Sequence, residues 1–588
     1  MDRKSLLILA GAFGVLLAWM PLTNKFFPPI ALPPPPPQST NAVVGATNST
    51  FNSTQPIVQG SASVGNPSLR TESSGIQGKE VTVTLENEDG QYVFSSAGGG
   101  LKHVHLKNYP ETIEKKSDKK GKLANLNAKA PLAALSLLGP DTLVGDGVYS
   151  LKQVDSTILR AEKNLPNGLR VIKEYQLSTN YLIKFNLKFE NPTAQPITVP
   201  AREIVIGTAT PIGVQDEAMF LGMNWFNGSD AEHLTESWFA NRTLGCFPGQ
   251  TRTVYSGGNS NVAWAAVHNQ FFTMIAVPQT PAAQVVGRQI PITAPTKEEI
   301  GTKSGALLAP LGYQTSLAYN EVTVPPNQLF VTSMDVFAGP KEYNTLARLG
   351  RNLDLVMGFD GFIGFFAKSL LLSLNGLNSM GMGYGMAIIV ITIIIKLVFW
   401  PLSASSTRSM KRMQKLQPQM KAIQDKYKAE PAKMQSKLGE FMKENKINPV
   451  AGCLPMIIQI PVFFGFYRML QAAIELRGAS FLWAIDLSSP DTVATIAGFP
   501  INIFPLLMGA TMIWQAQITP TSPAVDATQQ KIMKYMPLMM MVFLYNFSAG
   551  LTIYWTVQNL LSIAQMKLTR DKPETTTLQP AIRPVKRA

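Results

Sequence analysis

The sequence predicts a polytopic α-helical membrane protein of about six transmembrane helices, the last five forming a core, with a large exported β-sandwich domain and a cytoplasmic helical hairpin. Apolar stretches in the C-terminal half approach membrane-spanning length. Runs of alternating apolar and polar residues fill Glu80 to about Tyr343. Basic residues are unevenly placed. Ser403 to Asn448 carries eleven Lys/Arg against four Asp/Glu, and the tail from Lys567 carries six against two. A net charge of +14 distributed in this way points to membrane topology and gives no reason to expect DNA as a partner.

Residues 1–27 read as an N-terminal signal-anchor helix. Asp2-Arg3-Lys4 precedes the apolar run Ser5 to Met20. A cleaved signal peptide is the alternative, but no small-x-small site follows, and Pro21, Pro28 and Pro29 do. Residues 28–78 read as an extended, disordered tether, since Pro33 to Pro37 followed by Asn, Ser, Thr and Gly cannot bury a core.

Residues 79–345 are the exported β-sandwich. Val81-Thr82-Val83-Thr84-Leu85 alternates, as does Tyr181 to Phe189. Turn signals such as Asn87-Glu88-Asp89-Gly90 and Ser256-Gly257-Gly258-Asn259 separate the runs. All four histidines (His103, His105, His233, His268) lie here. His103 and His105 share a strand face, but no third ligand accompanies them, so no metal site is expected. The two cysteines, Cys246 and Cys453, fall in different domains, and no disulfide framework follows.

Residues 346–382 contain Gly361 to Met380, apolar with a thin polar stripe of Lys368 and Asn375. A span here would place the following basic segment outside the cytoplasm, so an interfacial amphipathic helix is expected. Residues 383–566 form the core. The expected spans are Tyr384 to Pro401, Val450 to Ile474, Pro500 to Ile518, Tyr535 to Phe547 and Gly550 to Met566. Pro455, Pro461, Pro505 and Pro537 leave their ends open. The loop Glu475 to Phe499 has Arg477 against Glu475, Asp486 and Asp491, and the turn Ser548-Ala549-Gly550 is uncharged. By the positive-inside rule both termini, the basic segment 403–448 and the loop Thr519 to Lys534 face the cytoplasm. Residues 567–588 are a basic cytoplasmic tail.

Residues 403–448 read as an antiparallel hairpin of amphipathic helices. Met410, Met413, Gln417, Met420, Gln424 and Tyr427 follow helical spacing, and Met434, Leu438 and Phe441 repeat it after Ala429-Glu430-Pro431. Pro418 is expected to kink the first helix. The methionines read as seam packing, or alternatively as an adaptable apolar surface. The basic face suits anionic lipid or ribosomal RNA.

The expected core spans hold no Asp, Glu or His; Lys396 and Arg468 are their charged residues. A charge within a span costs roughly 3 kcal/mol on insertion scales. Lys396 therefore has two readings. It faces protein or water as a functional group, or it snorkels, being five residues before Pro401. Arg468 reads as snorkelling outward. Uncharged polar groups accompany Lys396. Thr392 lies one helical turn away on the same face, and Gln459, Thr552, Tyr554, Thr556, Gln558 and Asn559 lie in other spans. Singly they suit interhelical hydrogen bonding; together with Lys396 they suit a wet, positively charged groove. His-Glu-x-x-His, Gly-x-Ser-x-Gly and P-loop motifs are absent. With no intramembrane carboxylate and no evident inverted repeat, a small-solute transporter or channel is the runner-up. A noncatalytic translocon assembly factor is the third reading.

From about Gly383 to Met566 the chain resembles the YidC/Oxa family of membrane protein insertases. The resemblance is carried by Lys396 with Trp400-Pro401-Leu402, Leu416-Gln417-Pro418, Asn448-Pro449-x-x-Gly452-Cys453-Leu454-Pro455, Gln459-x-Pro461, Gln529-Gln530-Lys531-Ile532-Met533, Met536-Pro537 and Gly550-Leu551-x-x-Tyr554-Trp555-x-x-Gln558-Asn559. Anchor, tether and exported β-domain resemble the Gram-negative form.

The resemblance implies a non-enzymatic insertase in the bacterial inner membrane, with a periplasmic β-domain and no cofactor or metal. It implies a hydrophilic groove open to cytoplasm and lipid, lined by Lys396, Thr392, Gln459, Thr552, Tyr554, Trp555, Thr556, Gln558 and Asn559. It implies substrate reception, or ribosome or lipid contact, through Lys411, Arg412, Met413, Lys415 and Met420. The implied partners are nascent membrane proteins, the Sec translocon and its accessory subunits, the ribosome and signal recognition particle pathway, and anionic lipids. One departure stands out. The family's groove charge is usually arginine, and Lys396 keeps the charge without the planar fork.

Overall fold

The computed structural model describes residues 70–71, 80–113, 121–213, 216–242, 249–294, 296, 310–445, 454–519 and 527–569. The expected anchor helix, nearly all of the tether, Cys246, Cys453 and most of the basic tail lie outside the described residues.

A nine-stranded antiparallel sheet and a six-stranded sheet dominate the N-terminal half. The strand Leu182–Asn191 shows why the sequence folds this way. Ile183, Phe185, Leu187 and Phe189 point inward and are fully buried, while Lys184 is exposed. Phe185 sits opposite Met334 on one side and Tyr175 on the other, so the period-two pattern fixes the register. The strand Arg202–Ala209 of the six-stranded sheet is buried along its whole length. It packs across the larger sheet. A Cβ on Gly207 would lie 3.3 Å from both the Met274 sulfur and a Val267 methyl, so glycine lets the two sheets approach.

A four-stranded sheet, from Thr82–Glu86 to Leu123–Leu126, closes one side. The Phe94 and Tyr175 rings are 4.7 Å apart. The Lys173 ammonium donates to the Gly98 carbonyl at 2.5 Å, and the Tyr175 hydroxyl to the Gly99 carbonyl at 2.6 Å. His103 and His105 have ring centroids 6.0 Å apart. Among the described residues no cluster of three His, Cys, Asp or Glu could hold a metal ion.

The packing of this domain continues past residue 345. Helix α1 (Tyr343–Leu349) and a 3-10 turn at Leu353–Met357 bury Tyr343, Leu346, Leu353, Val356 and Met357. The Trp264 indole donates to the Arg351 carbonyl at 3.2 Å, and the Asn224 amide to the Val356 carbonyl at 3.0 Å. One contiguous apolar core runs from Leu85 in the sheets to Tyr554 in the helices.

The helical region begins with α2 (Gly361–Ser379), packed along α3 (Tyr384–Val398) and α7 (Leu454–Ala472). Its polar stripe is engaged by protein: Lys368 lies 3.2 Å from Asp354, and the Asn375 amide donates to Glu475 at 3.4 Å. Helix α3 meets α4 (Trp400–Lys415) at a 63° bend. Pro401 sits in the first turn of α4, where it lacks the N–H that would continue the α3 ladder.

Leu416 separates α4 from α5 (Gln417–Lys426), and Pro418 opens α5. The expected kink is thus a break between two helices, because proline is accommodated in a first turn and not within a helix. Helix α6 (Pro431–Glu444) folds back on α5. Met413 and Met420 pack with Leu438 and Phe441 in a small separate core, edged by Leu416, Ile423, Met434 and Met442.

Helices α8 (Ile503–Ile518), α9 (Ala527–Phe543) and α10 (Ala549–Leu568) are the last among the described residues. Helix α10 packs on both α3 and α8, and α8 on α9. Their bounds differ from the expected spans. Helix α9 starts before Tyr535, and α3 stops at Val398. Among the described residues no single helix is long and apolar enough to cross a membrane; the bent pair α3–α4 meets the length and composition together. Several apolar side chains on the outer faces are exposed: Leu397 on α3, Phe464 on α7, Leu506 and Trp514 on α8, Val542 and Phe543 on α9, and Leu560 on α10.

Candidate functional site

The polar side chains of the helical region converge where α3, α7 and α10 meet. Lys396 is near the end of α3 and is buried, with 8% of its surface exposed. Its ammonium donates to the Ser562 hydroxyl at 2.8 Å. Ser562 in turn donates to the Gln558 carbonyl, one turn back on α10, at 2.8 Å. The Gln558 side-chain amide donates to the Gln459 oxygen on α7 at 2.8 Å, and the Gln459 amide donates to the Tyr554 hydroxyl. A string of polar groups therefore runs from Lys396 to Tyr554 through three helices. Helical periodicity builds it: Tyr554, Gln558 and Ser562 follow at i, i+4, i+8 on one face of α10.

Aromatic packing holds the far end. The buried Tyr554 ring stacks on Phe466 at 4.2 Å, and Trp555 meets Phe463 edge-on at 4.8 Å. Here α7 supplies both partners from one turn, Phe463 two residues before and Phe466 one residue after Gly465, whose missing side chain lets Phe366 of α2 approach.

The other expected groove residues divide. Thr392 is buried beneath Lys396, and its hydroxyl donates to the Ile388 carbonyl of its own helix at 2.7 Å. Thr552 and Thr556 likewise donate within α10, to Ala549 at 3.0 Å and to Thr552 at 2.7 Å. Asn559 faces away from the string and donates to the Thr511 hydroxyl on α8 at 3.1 Å. Lys396, Gln459, Tyr554 and Gln558 thus form one connected group, whereas Asn559 belongs to the α8–α10 contact. The sequence reasoning missed Ser562; its i+4 spacing from Gln558 was the available signal.

The hairpin residues are also placed individually. The Lys411 ammonium donates to the Thr569 carbonyl past the end of α10 at 2.8 Å, joining α4 to α10. The Gln565 amide reinforces this junction by donating to the Trp400 carbonyl at 3.1 Å. Arg412 and Lys415 lie in the last turn of α4, where they suit the negative end of the helix dipole, and both are exposed. Met413 and Met420 pack in the hairpin seam against Leu438 and Phe441, the first of the two readings of the methionines, because facing inward removes more apolar area from water than facing outward.

The opposite end of the helices joins the β-domain. Arg468 donates to the Gly358 carbonyl at 2.9 Å. Arg477 donates to the Pro110 and Glu111 carbonyls at 2.8 and 2.9 Å, beneath the Phe271 and Phe272 rings. Glu475 lies at this junction half-buried, with one carboxylate oxygen sealed from solvent and lacking a hydrogen-bond partner among the described residues. Burial, then the nearby Glu342 carboxylate, pushes its carboxyl up to about 7.

Two families match the chain. Residues 82–372 match the family described as YidC periplasmic domain, and residues 376–576 match the 60Kd inner membrane protein family. A membrane protein insertase YidC of Syntrophus aciditrophicus is 32% identical over 580 residues, covering 96% of this chain and 98% of that protein. The protein of the same name from Citrifermentans bemidjiense is 34% identical over 503 residues, covering 82% of this chain and 84% of its own length. Among solved structures, an active YidC insertase with its first transmembrane domain resolved is 18% identical, with a TM-score of 0.32 over 84% of this chain and 94% of that one.

Proposed function

The chain belongs to the YidC family of membrane protein insertases, and on that premise we propose that it inserts, and helps fold and assemble, proteins of the bacterial inner membrane, alone or with the Sec translocon. The observation that carries the groove reading is the string from Lys396 through Ser562, Gln558 and Gln459 to Tyr554. It lies among helices whose outer faces expose Leu397, Phe464, Leu506, Val542 and Phe543. A buried cation and amides inside an apolar shell lower the barrier that a short polar segment meets in hydrocarbon. The substrate's own apolar helix then gains roughly 0.8 kcal/mol per CH₂ on leaving water, which drives its exit into lipid without nucleotide.

The placement of basic residues supports a multi-pass arrangement with both termini and the α4–α6 hairpin in the cytoplasm and the β-domain in the periplasm. The exposed Arg412 and Lys415 suit contact with anionic lipid, ribosomal RNA or an arriving substrate. Ribosome, signal recognition particle pathway and Sec translocon are the partners this reading implies.

The test is reconstitution of the full chain into phosphatidylethanolamine and phosphatidylglycerol vesicles. A newly made single-span protein with a short acidic exported tail is supplied, and protease protection of that tail is read. Protection above empty vesicles is expected. Equal protection with and without folded protein overturns the reading.

A further inference from the structure

A short β-hairpin, Thr492–Ile496 paired with Phe499–Asn502, projects from the start of α8. Its turn is Ala497-Gly498, both with positive φ (50° and 82°), the geometry of a tight two-residue hairpin turn. Its tip is apolar and open: Ile496 is 65% and Phe499 57% exposed. No charged residue occurs from Thr492 to Ile518. The uncharged stretch covers the hairpin and the whole of α8, so no charge interrupts the apolar surface between them.

The hairpin's base is fixed. Asp491 accepts the Trp483 indole N–H at 2.8 Å and the backbone N–H groups of Ile503 and Phe504 at 3.1 and 2.7 Å, which caps α8. The Asn502 amide donates to the Tyr545 carbonyl at 2.9 Å, and the Tyr545 hydroxyl donates to the Pro500 carbonyl at 2.8 Å. The tip is therefore held at a set height above α8 and α9, and its apolar surface continues onto the exposed Leu506 and Leu507 of α8.

We propose that this hairpin is a membrane-surface anchor whose Ile496 and Phe499 side chains enter the headgroup region of the outer leaflet. The inference rests on the reading of α8 and α9 as lipid-facing helices. Headgroup depth follows from the backbone. A two-stranded ribbon has two open edges, whose N–H and C=O groups must stay within reach of water or headgroups. The side chains can leave water, but the strands cannot enter the hydrocarbon. A protein partner is the competing occupant; continuity with the α8 surface favours lipid.

The experiment uses the full chain with Cys246→Ser and Cys453→Ser. A single cysteine replaces Thr495, Ile496 or, as control, Leu507, and carries a nitrobenzoxadiazole label. The protein is reconstituted in phosphatidylethanolamine and phosphatidylglycerol vesicles. Labels at 495 and 496 are expected to lose emission with nitroxide lipids labelled near the headgroup, and to resist both deep nitroxide lipids and aqueous iodide. Adding Phe499→Asp should shift the label at 495 toward quenching by iodide. Quenching of the hairpin labels by iodide alone, or by neither agent, with the label at 507 quenched by lipid, overturns the inference. Loss of lipid quenching at 507 overturns the lipid-facing reading beneath it.

Discussion

The Lys396 ammonium rests on Ser562 at 2.8 Å and has 8% of its surface exposed, a placement that gives the charge a fixed position inside the helices. Attraction between it and a substrate carboxylate about 4 Å away reaches a few kcal/mol at an intermediate dielectric. Insertion of a substrate with an acidic exported tail should therefore survive Lys396→Arg, fall with Lys396→Met, and fall furthest with Lys396→Glu. Substrates without the acid should separate the Met variant little from wild type. Equal insertion of acidic substrates by all three variants would reduce Lys396 to a helix-end anchor. Tyr554→Phe removes the acceptor for the Gln459 amide and should lower stability by about 1–3 kcal/mol, read as an unfolding midpoint in detergent.

Glu475 titrates at the junction with the β-domain. Its folded carboxyl sits at about 7 against an ordinary 4.5, so the folded chain holds a proton that the unfolded chain has released. The associated stability is complete below pH 4.5 and is lost as pH rises through 7. Melting temperatures of the wild type should fall across that window. Glu475→Gln should flatten the fall; an unchanged slope would show that another group titrates.

At the scale of elements, the α4–α6 hairpin has its own small core and touches α10 through Lys411 and Gln565. Deleting Met410 to Lys443 should leave the remaining helices folded, because Lys396, Ser562, Gln459 and Tyr554 keep one another. The same deletion should cripple insertion, read by protease protection, while membrane levels stay normal. The hairpin seam was legible in sequence, since Met413, Met420, Leu438 and Phe441 follow helical spacing. The break at Leu416 was visible only as a proline. Whether a proline bends a helix or starts a new one depends on whether the chain around it has packing partners for both directions.

At the scale of the molecule, the β-domain and helices share one core, with Arg477 bridging to Pro110 and Glu111. Removing the sheets while retaining residues from Pro340 onward should spare insertion, because the polar string uses no residue of the sheets. It should also lower the melting temperature, since Arg477 loses the Pro110 and Glu111 carbonyls. Loss of insertion for every substrate, at normal membrane levels, would contradict this.

The sequence by itself determined the alternating strands, such as Tyr181 to Phe189, the apolar stretches of the C-terminal half, the lone Lys396 and the methionine seam. Each is a local period or a single charge in an apolar run, and such features are written along the chain. Tertiary structure alone decided that Ser562 holds Lys396, that Asn559 turns to Thr511 instead, and that Glu475 is sealed against the β-domain. The Lys396–Ser562 contact joins residues 166 positions apart and the Asn559–Thr511 contact residues 48 apart, each setting one helix face against another. They depend on how whole elements pack, and side-chain periodicity says which face is polar without saying what that face will meet.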